Sequence, residues 1–228
     1  MKIEPKKRKP QVRDPDATQA RILVAATQEF AKHGLGGARV DRIAMRAKSN
    51  KRMLYHYFGN KDELFRITVE NAYAQFRNAE AALQLDNMEP VAAVKRLVAF
   101  TWHYFLDSPE FITLVNSENL HKAKHLKASK TTPDMSRKFV GRMQTLLKRG
   151  ETAGAFRKGL DPVQVNITIA AIGYYYLTNR HTAAIVFERD MMNKDALVAR
   201  LKFNTDTVLR MLCTAKEIAK LETSGVLD

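Results

Sequence analysis

The chain has 228 residues, 45% hydrophobic and 27% charged, the composition of an ordinary globular protein of one or two domains. Its net charge of +14 is concentrated, with 14 Lys/Arg against five Asp/Glu in residues 1–60 and 24 against 19 in the remainder, so a basic N-terminal head is expected to meet a polyanion, either nucleic acid or a membrane surface. The longest apolar run, 167–177, falls well short of the ~20 residues that span a bilayer, no apolar signal segment follows the charged start, and the lone Cys213 allows no internal disulfide, so the chain is expected to be cytoplasmic with no membrane partner.

Hydrophobic periodicity is helical throughout, with no convincing alternation of period two, so the expected class is all-α. Residues 1–13 are rich in Lys and Pro and are expected to be disordered on their own. Asp14-Pro15 is a helix start, with Asp as N-cap and Pro at the first helical position. Ile22, Leu23, Ala26 and Phe30 then share one face of a helix that stops at His33-Gly34. Two short helices follow near 40–47 and 50–58, too short to persist unless packed together. Asn60 and Glu63 have the spacing of a capping box and open a long helix to about residue 82. Further helices are expected at 90–106, from Pro109 through Leu120, at 134–149 and at 162–179, where Asp161-Pro162 repeats the Asp and Pro start. A last one runs over 194–214, and the chain then tails off in a polar stub. Neither an internal repeat nor a βαβ unit is seen.

Residues 21–65 carry the informative motif. It reads Arg21-Ile22-Leu23-x-Ala25-Ala26, Glu29-Phe30-Ala31-x-x-Gly34, Ile43-Ala44-x-x-Ala47 and Leu54-Tyr55-His56-Tyr57-Phe58-x-Asn60-Lys61-Asp62-Glu63-Leu64. Two short helices joined by a tight turn form a helix-turn-helix, whose second helix enters the major groove. On that helix Leu54 and Phe58 make an apolar stripe, and the other faces present Lys51, Arg52, Tyr55 and His56. Arg and Lys donate to guanine edges, while Tyr and His reach phosphates or base edges. A solvated basic face is the alternative, opposed by the clustering of Lys48, Lys51 and Arg52 in so basic a segment.

In order and spacing the motif resembles the DNA-binding domain of the tetracycline-repressor (TetR) family. The resemblance implies a bacterial, ligand-responsive transcriptional regulator, a repressor binding a palindromic double-stranded DNA operator as a homodimer and released by a small-molecule effector. It places Lys51, Arg52, Tyr55 and His56 at groove-facing positions and Tyr57 and Lys61 at phosphate contacts, with Arg39 and Lys48 as further candidates and Asn50 as the cap of the recognition helix. Several positions depart from the family pattern. Lys48-Ser49-Asn50 stands where Gly-Val-Ser is usual, so Lys48 is expected to take a left-handed conformation at some strain. Ala38 stands where a Thr or Ser usually caps the second helix.

The expected organisation is a basic arm over 1–13, a helix-turn-helix domain over 14–62, and a helical ligand-binding and dimerisation domain over 63–228. Beyond residue 85 the resemblance is one of architecture alone, and it implies that the helices near 162–179 and 194–214 pair with a second subunit. The first of these is apolar nearly all round and needs cover on several sides. A sensor pocket would draw on apolar and aromatic groups with a few polar anchors. The candidates are Trp102, His103, Phe105, Phe111, Asn116, Asn119, Met143, Tyr174, Tyr175 and Tyr176, although core packing accounts for each taken alone. Glu118, His121 and His125 fall at i, i+3 and i+7 of one helical face. Lys122, Lys124 and Lys127 surround them and oppose a cation, so a solvated or partner-facing surface is expected there, without metal. No cofactor is expected. An enzyme reading finds no GxSxG, HExxH, Walker-type loop or CxxC, and an architectural DNA binder would have little use for so large a helical body.

The run Lys6-Lys7-Arg8-Lys9 looks like a nuclear-localisation signal and equally like a solvated tail, but ahead of a DNA-binding head it is expected to reach phosphates or the minor groove. Deleting residues 1–9 removes five cations. The expected outcome is weaker binding to every DNA sequence and a shallower slope of log affinity against log salt. An unchanged slope would leave the arm a solubilising tail.

Overall fold

The computed structural model describes residues 15–227, apart from the side chains at 132, 133, 135 and 136, and among these the only extended pairing is an isolated bridge between Phe156 and Cys213. The basic arm and the Asp14 cap lie outside the described residues. The chain forms two compact units, one closing at Thr68 and the other beginning at Val69. That division falls within a helix; the boundary expected at residues 62 and 63 lies at the same helix's start.

The first unit comprises α1 (Pro15–Gly37), α2 (Val40–Arg46), α3 (Lys51–Phe58) and the beginning of α4 (Lys61–Ala81). Ile22, Ala26 and Phe30 of α1, Ile43 of α2, Leu54 and Phe58 of α3, and Leu64 and Phe65 of α4 are all buried. The Phe30 and Phe65 rings meet edge to face, 5.0 Å between centroids. The regular course of α1 breaks at Gly34 (φ 63°, ψ 175°), a conformation that glycine reaches without a Cβ penalty. The expected stop at His33-Gly34 is that break.

In the second unit α5 (Pro90–Asp107) packs against α8 (Thr132–Thr152), α9 (Pro162–Thr178) and α11 (Lys194–Leu212). One apolar cluster joins Val94, Leu97 and Val98 of α5 to Leu146, Ile169, Val208 and Leu212. A second, aromatic cluster gathers Phe76, Trp102, Phe105, Phe111 and Tyr176. Asp161 caps α9 as expected, accepting from the N–H groups of Val163 (2.7 Å) and Gln164 (3.3 Å). Besides a single turn described below, two further helices were not expected from the periodicity. They are α10 (Arg180–Val186) and α12 (Ala215–Thr223), the latter replacing the polar stub.

The expected surface at Glu118, His121 and His125 is corrected. Helix α6 (Pro109–Leu120) ends before the histidines, and the chain turns through Lys122 (φ 56°) and Ala123 (φ 55°) into the single turn α7 (Lys124–Lys127). Glu118 and His125 are buried, not solvated. One Glu118 oxygen accepts from the N–H groups of His125 and Leu126 (both 2.9 Å), and the other lies 2.7 Å from His125 Nδ1. The carboxylate turned inward because the α7 backbone offers it the donors that a surface position lacks. No group of three or more potential ligands able to hold a metal occurs among the described residues.

The bridge at Phe156 ties the α8–α9 connection to the end of α11. Arg157 N–H donates to Leu212 O and Thr214 N–H to Ala155 O, both at 2.9 Å. Beside it the buried Cys213 thiol is pushed up to about 11, mainly by burial and secondly by the Glu217 carboxylate. The fully covered Phe156 ring lies on Gly150, where a Cβ would stand 1.9 Å from Phe156 Cδ2. Gly150→Ala is therefore expected to destabilise the second unit by about 2–3 kcal/mol, read from denaturant unfolding by the fluorescence of the sole tryptophan, Trp102. An unchanged midpoint would mean that the ring moves aside without cost.

Candidate nucleic-acid interface

The turn between α2 and α3 follows from four residues. Ser49 N–H donates back to Ala44 O (2.9 Å) and Lys48 N–H to Met45 O (3.1 Å), the paired bonds of a Schellman helix end. That motif needs a left-handed residue, and Lys48 supplies it at φ 50°, as the sequence implied. Asn50 then reverses direction with extended backbone, and its side chain accepts from Met53 N–H at 2.9 Å, capping α3. Arg21 of α1 closes the far side, donating from Nε to Ala47 O at 3.3 Å.

Helix α2 lacks a side-chain cap at its own N-cap residue, Arg39. Glu29 of α1 takes over part of that task. Its Oε1 accepts from Arg39 N–H (3.0 Å) and from Arg42 Nε (2.6 Å), while His33 Nε2 lies 3.9 Å from Oε2. Glu29 is 1% exposed. Burial alone would push its carboxyl up, but the bonds from Arg39 and Arg42, with the Arg42 and His33 charges, hold it below the ordinary carboxylate range. A depressed folded value contributes stability above the unfolded value, and the contribution is lost as pH falls through the folded one. Sequence reasoning read Glu29 as part of a motif and missed this role. A charged residue among apolar neighbours on the core face of α1 was the available signal.

With the frame fixed, the expected DNA-contacting side chains take definite places. Around α3 the buried Leu54 and Phe58 mark the inner stripe; Lys51 and Tyr55 flank it, and Arg52 and His56 occupy the far side. Arg39, Lys48, Asn50, Lys51, Arg52, Tyr55 and His56 are exposed, and Tyr57 and Lys61 are half-buried. Two cations already have partners. Lys51 pairs with Asp41 of α2, in an exposed contact that a phosphate or base edge can displace at little cost. Lys61 donates from Nζ to Ala38 O at 3.4 Å while standing at the positive end of α4. The Tyr57 ring stacks edge-on between His56 (5.3 Å) and Phe58 (6.3 Å).

The residues expected to form a sensor pocket divide. Trp102, Phe105, Phe111, Asn116, Tyr174 and Tyr176 come together: Trp102 meets Tyr176 edge-on at 5.6 Å, Phe105 stacks on Phe111 at 5.9 Å, and Tyr174 donates its hydroxyl proton to Asn116 Oδ1. His103, Asn119 and Tyr175 point outward, the first two bonded to their own helices at Ala99 O and Val115 O. Met143 belongs to the other cluster. Tyr175 and Tyr176 line a pocket of about 660 Å³ with Arg200 and Phe203, and a separate cavity of about 220 Å³ lies among α4, α5, α8 and α9, lined by residues outside the expected set, including Phe76, Arg77, Glu80, Thr101 and Asn166.

Comparison with known proteins bears on the whole chain. Residues 22–67 match the bacterial regulatory proteins of the tetR family, and residues 90–208 match the tetracyclin repressor-like C-terminal domain. The chain is 39% identical over 197 residues to the HTH-type transcriptional repressor NicS of Pseudomonas putida, spanning 86% of this chain and 93% of that one. The chain belongs to the TetR family. TetR-family structures share its fold. The transcriptional regulator SCO4942 from Streptomyces coelicolor superposes with a TM-score of 0.66 at 25% identity, over 86% of this chain and 98% of that one. The fatty acid degradation regulator FadR from Bacillus halodurans, at 20% identity over 87% and 97%, gives 0.65 and bears on the fold alone. TetR-family regulators bind DNA through the helix-turn-helix head, which here is the first unit. None of the helices among the described residues is long and apolar enough to cross a membrane.

Within this TetR-family head, Lys48 has two opposed effects. Its left-handed backbone costs about 1–2 kcal/mol relative to glycine, of which the greater freedom of glycine in the unfolded chain returns part. Lys48→Gly is expected to stabilise the head by about 0.5 kcal/mol while reducing the salt slope of DNA binding by about one phosphate contact. Thermal melting and salt-dependent anisotropy read the two effects separately. Higher stability with an unchanged slope would remove Lys48 from the interface.

Proposed function

We propose that this chain is a transcriptional repressor that binds a palindromic operator as a homodimer and leaves it when a small-molecule effector occupies the second unit. The observation that carries the reading is the capped, packed helix α3 with Arg52, His56 and Tyr55 exposed on its outer faces. An exposed side chain on a helix built to enter the major groove is free to read base edges. In the proposal Lys51, Arg52, Tyr55 and His56 face the groove. Tyr57, Lys61, Arg39 and Lys48 hold phosphates, and the cations of residues 1–13 add to the positive charge that meets the duplex, at phosphates or in the minor groove. The identity with the repressor NicS supports the direction of control.

Dimerisation through α9 and α11 is supported by apolar side chains that these helices leave uncovered, among them Tyr175, Val198 and Phe203. Release by an effector is supported by α4, which gives Leu64 and Phe65 to the core of the first unit and Phe76, Arg77 and Glu80 to the cavity of the second. An effector shifts the balance only by its preference for the non-binding conformation, and tenfold weaker DNA binding requires about 1.4 kcal/mol of coupling.

The test selects an operator from random DNA and measures affinity for it and for random sequence by anisotropy, with the native protein and with Arg52→Ala. The variant is expected to lose about 1–3 kcal/mol on the selected site and little on random DNA. Equal weakening on both would show that Arg52 contacts only phosphate, and failure to select any site would refute the repressor reading.

A further inference from the structure

The cavity of about 220 Å³ has room for about seven liquid waters, below the roughly 300 Å³ at which pockets for drug-sized ligands begin. Phe76, Leu97, Val140, Ile167 and Ile169 make most of its wall apolar. One side carries charge. The Arg77 guanidinium lies over the Phe139 ring, 3.3 Å from its centroid, and 4.8 Å from that of Phe76. Its Nη1 donates to Glu80 Oε2 at 2.5 Å, and Arg142 brings Nη2 within 3.7 Å of Glu80 Oε1. Glu80 is only 5% exposed. Arg142 lines not this cavity but a smaller annex of about 40 Å³, which shares Glu80, Leu97 and Asn166 with it.

The charges around this void do not balance, because two guanidiniums share a single carboxylate. Burial acts first on Arg77, drawing it below the ordinary arginine value, and Glu80 opposes that shift without cancelling it. Arg77 and Glu80 are largely buried while Arg142 is partly solvated, so an anion beside Glu80 is drawn by the excess of one positive charge and most strongly by Arg77. The excess is one unit, so a monoanion matches it and a dianion overshoots. Two guanidinium groups favour a planar acceptor that takes paired N–H bonds, as a carboxylate does.

We infer that this cavity binds a compact organic monoanion, a carboxylate on a small apolar body, which neutralises the Arg77–Glu80–Arg142 cluster. The inference rests on reading the second unit as an effector-binding body, and it adds the chemical class of the effector. Arg77 and Arg142 engage the carboxylate, and the rings of Phe76 and Phe139 with the aliphatic wall cover the rest. A neutral analogue of the same shape gains the apolar contacts but leaves the cluster charged.

The experiment uses the full chain and calorimetric titration with three probes: benzoate, hexanoate and the neutral benzamide. Benzoate or hexanoate is expected to bind, and at least tenfold more tightly than benzamide. Arg142→Gln is expected to reduce that preference to less than threefold. Arg142 is more than a third exposed, so the fold should survive, and an unchanged Trp102 fluorescence melt verifies it. Arg142→Lys, which keeps the charge, should restore part of the preference. Equal affinity for benzoate and benzamide, no binding of either acid, or a preference unaffected by Arg142→Gln would overturn the assignment. Operator affinity measured in the same samples separates this result from the broader reading. An acid that binds the cavity and leaves operator affinity unchanged supports the site and refutes its regulatory use; operator release by a compound that does not need Arg142 does the reverse.

Discussion

A helix of seven residues has four N–H groups at its start with no acceptor inside the helix, so α2 stands or falls with what lies beyond its first turn. Glu29 meets that need from α1, taking the Arg39 N–H and the Arg42 side chain on one oxygen. The exposed side chains of α3 depend on this contact in turn, because α3 is itself only eight residues long and packs against α2. The same solution recurs in the second unit. Helix α7 has the left-handed Ala123 at its cap position and no side chain there to help, and Glu118 of the preceding helix accepts from its first turn. In both places a distant buried carboxylate replaces the missing local cap.

Buried carboxylates thus serve different ends in this chain. Glu29 and Glu118 satisfy backbone donors and fix helix starts. Glu80 is held by two arginine side chains and touches a void. Both Glu118 oxygens are hydrogen-bonded, whereas Glu29 uses Oε1 for both its bonds and leaves the buried Oε2 with only His33 nearby, at 3.9 Å. The Glu80 environment is a charge cluster that remains sensitive to what enters beside it, and it sits on α4, the helix whose beginning the first unit uses for its own core. Structural carboxylates and the proposed responsive one differ in the donors around them more than in their burial.

Features governed by neighbours in sequence were legible from the sequence. Asn50 as a cap, Lys48 in a left-handed turn, Asp161-Pro162 before α9 and the break at Gly34 all depend on residues within one helical turn. Helix α12 was legible too and was missed, since Thr214 followed by Glu217 has capping-box spacing and the Thr214 hydroxyl accepts from Glu217 N–H at 3.3 Å. Features governed by tertiary contact were not legible. Nothing local tells that His103 faces outward while Trp102 faces in, or that Arg77, Glu80 and Arg142 meet across two helices. The solvated face expected at Glu118, His121 and His125 failed because helical arithmetic was carried past the end of α6. The course of the turn that displays the residues expected to bind DNA was legible, since it is built almost wholly from local bonds.

Cys213 combines burial in the second unit with a thiol value pushed up to about 11. At neutral pH the reactive thiolate is therefore scarce, and the packing around the buried thiol restricts access to it. It is also the sole cysteine of the chain. The native protein is therefore nearly silent to thiol-directed dyes and spin labels. A cysteine introduced at an exposed position of α3 or α11 would accept a probe selectively, so distances across the proposed dimer could be followed without first removing the natural residue.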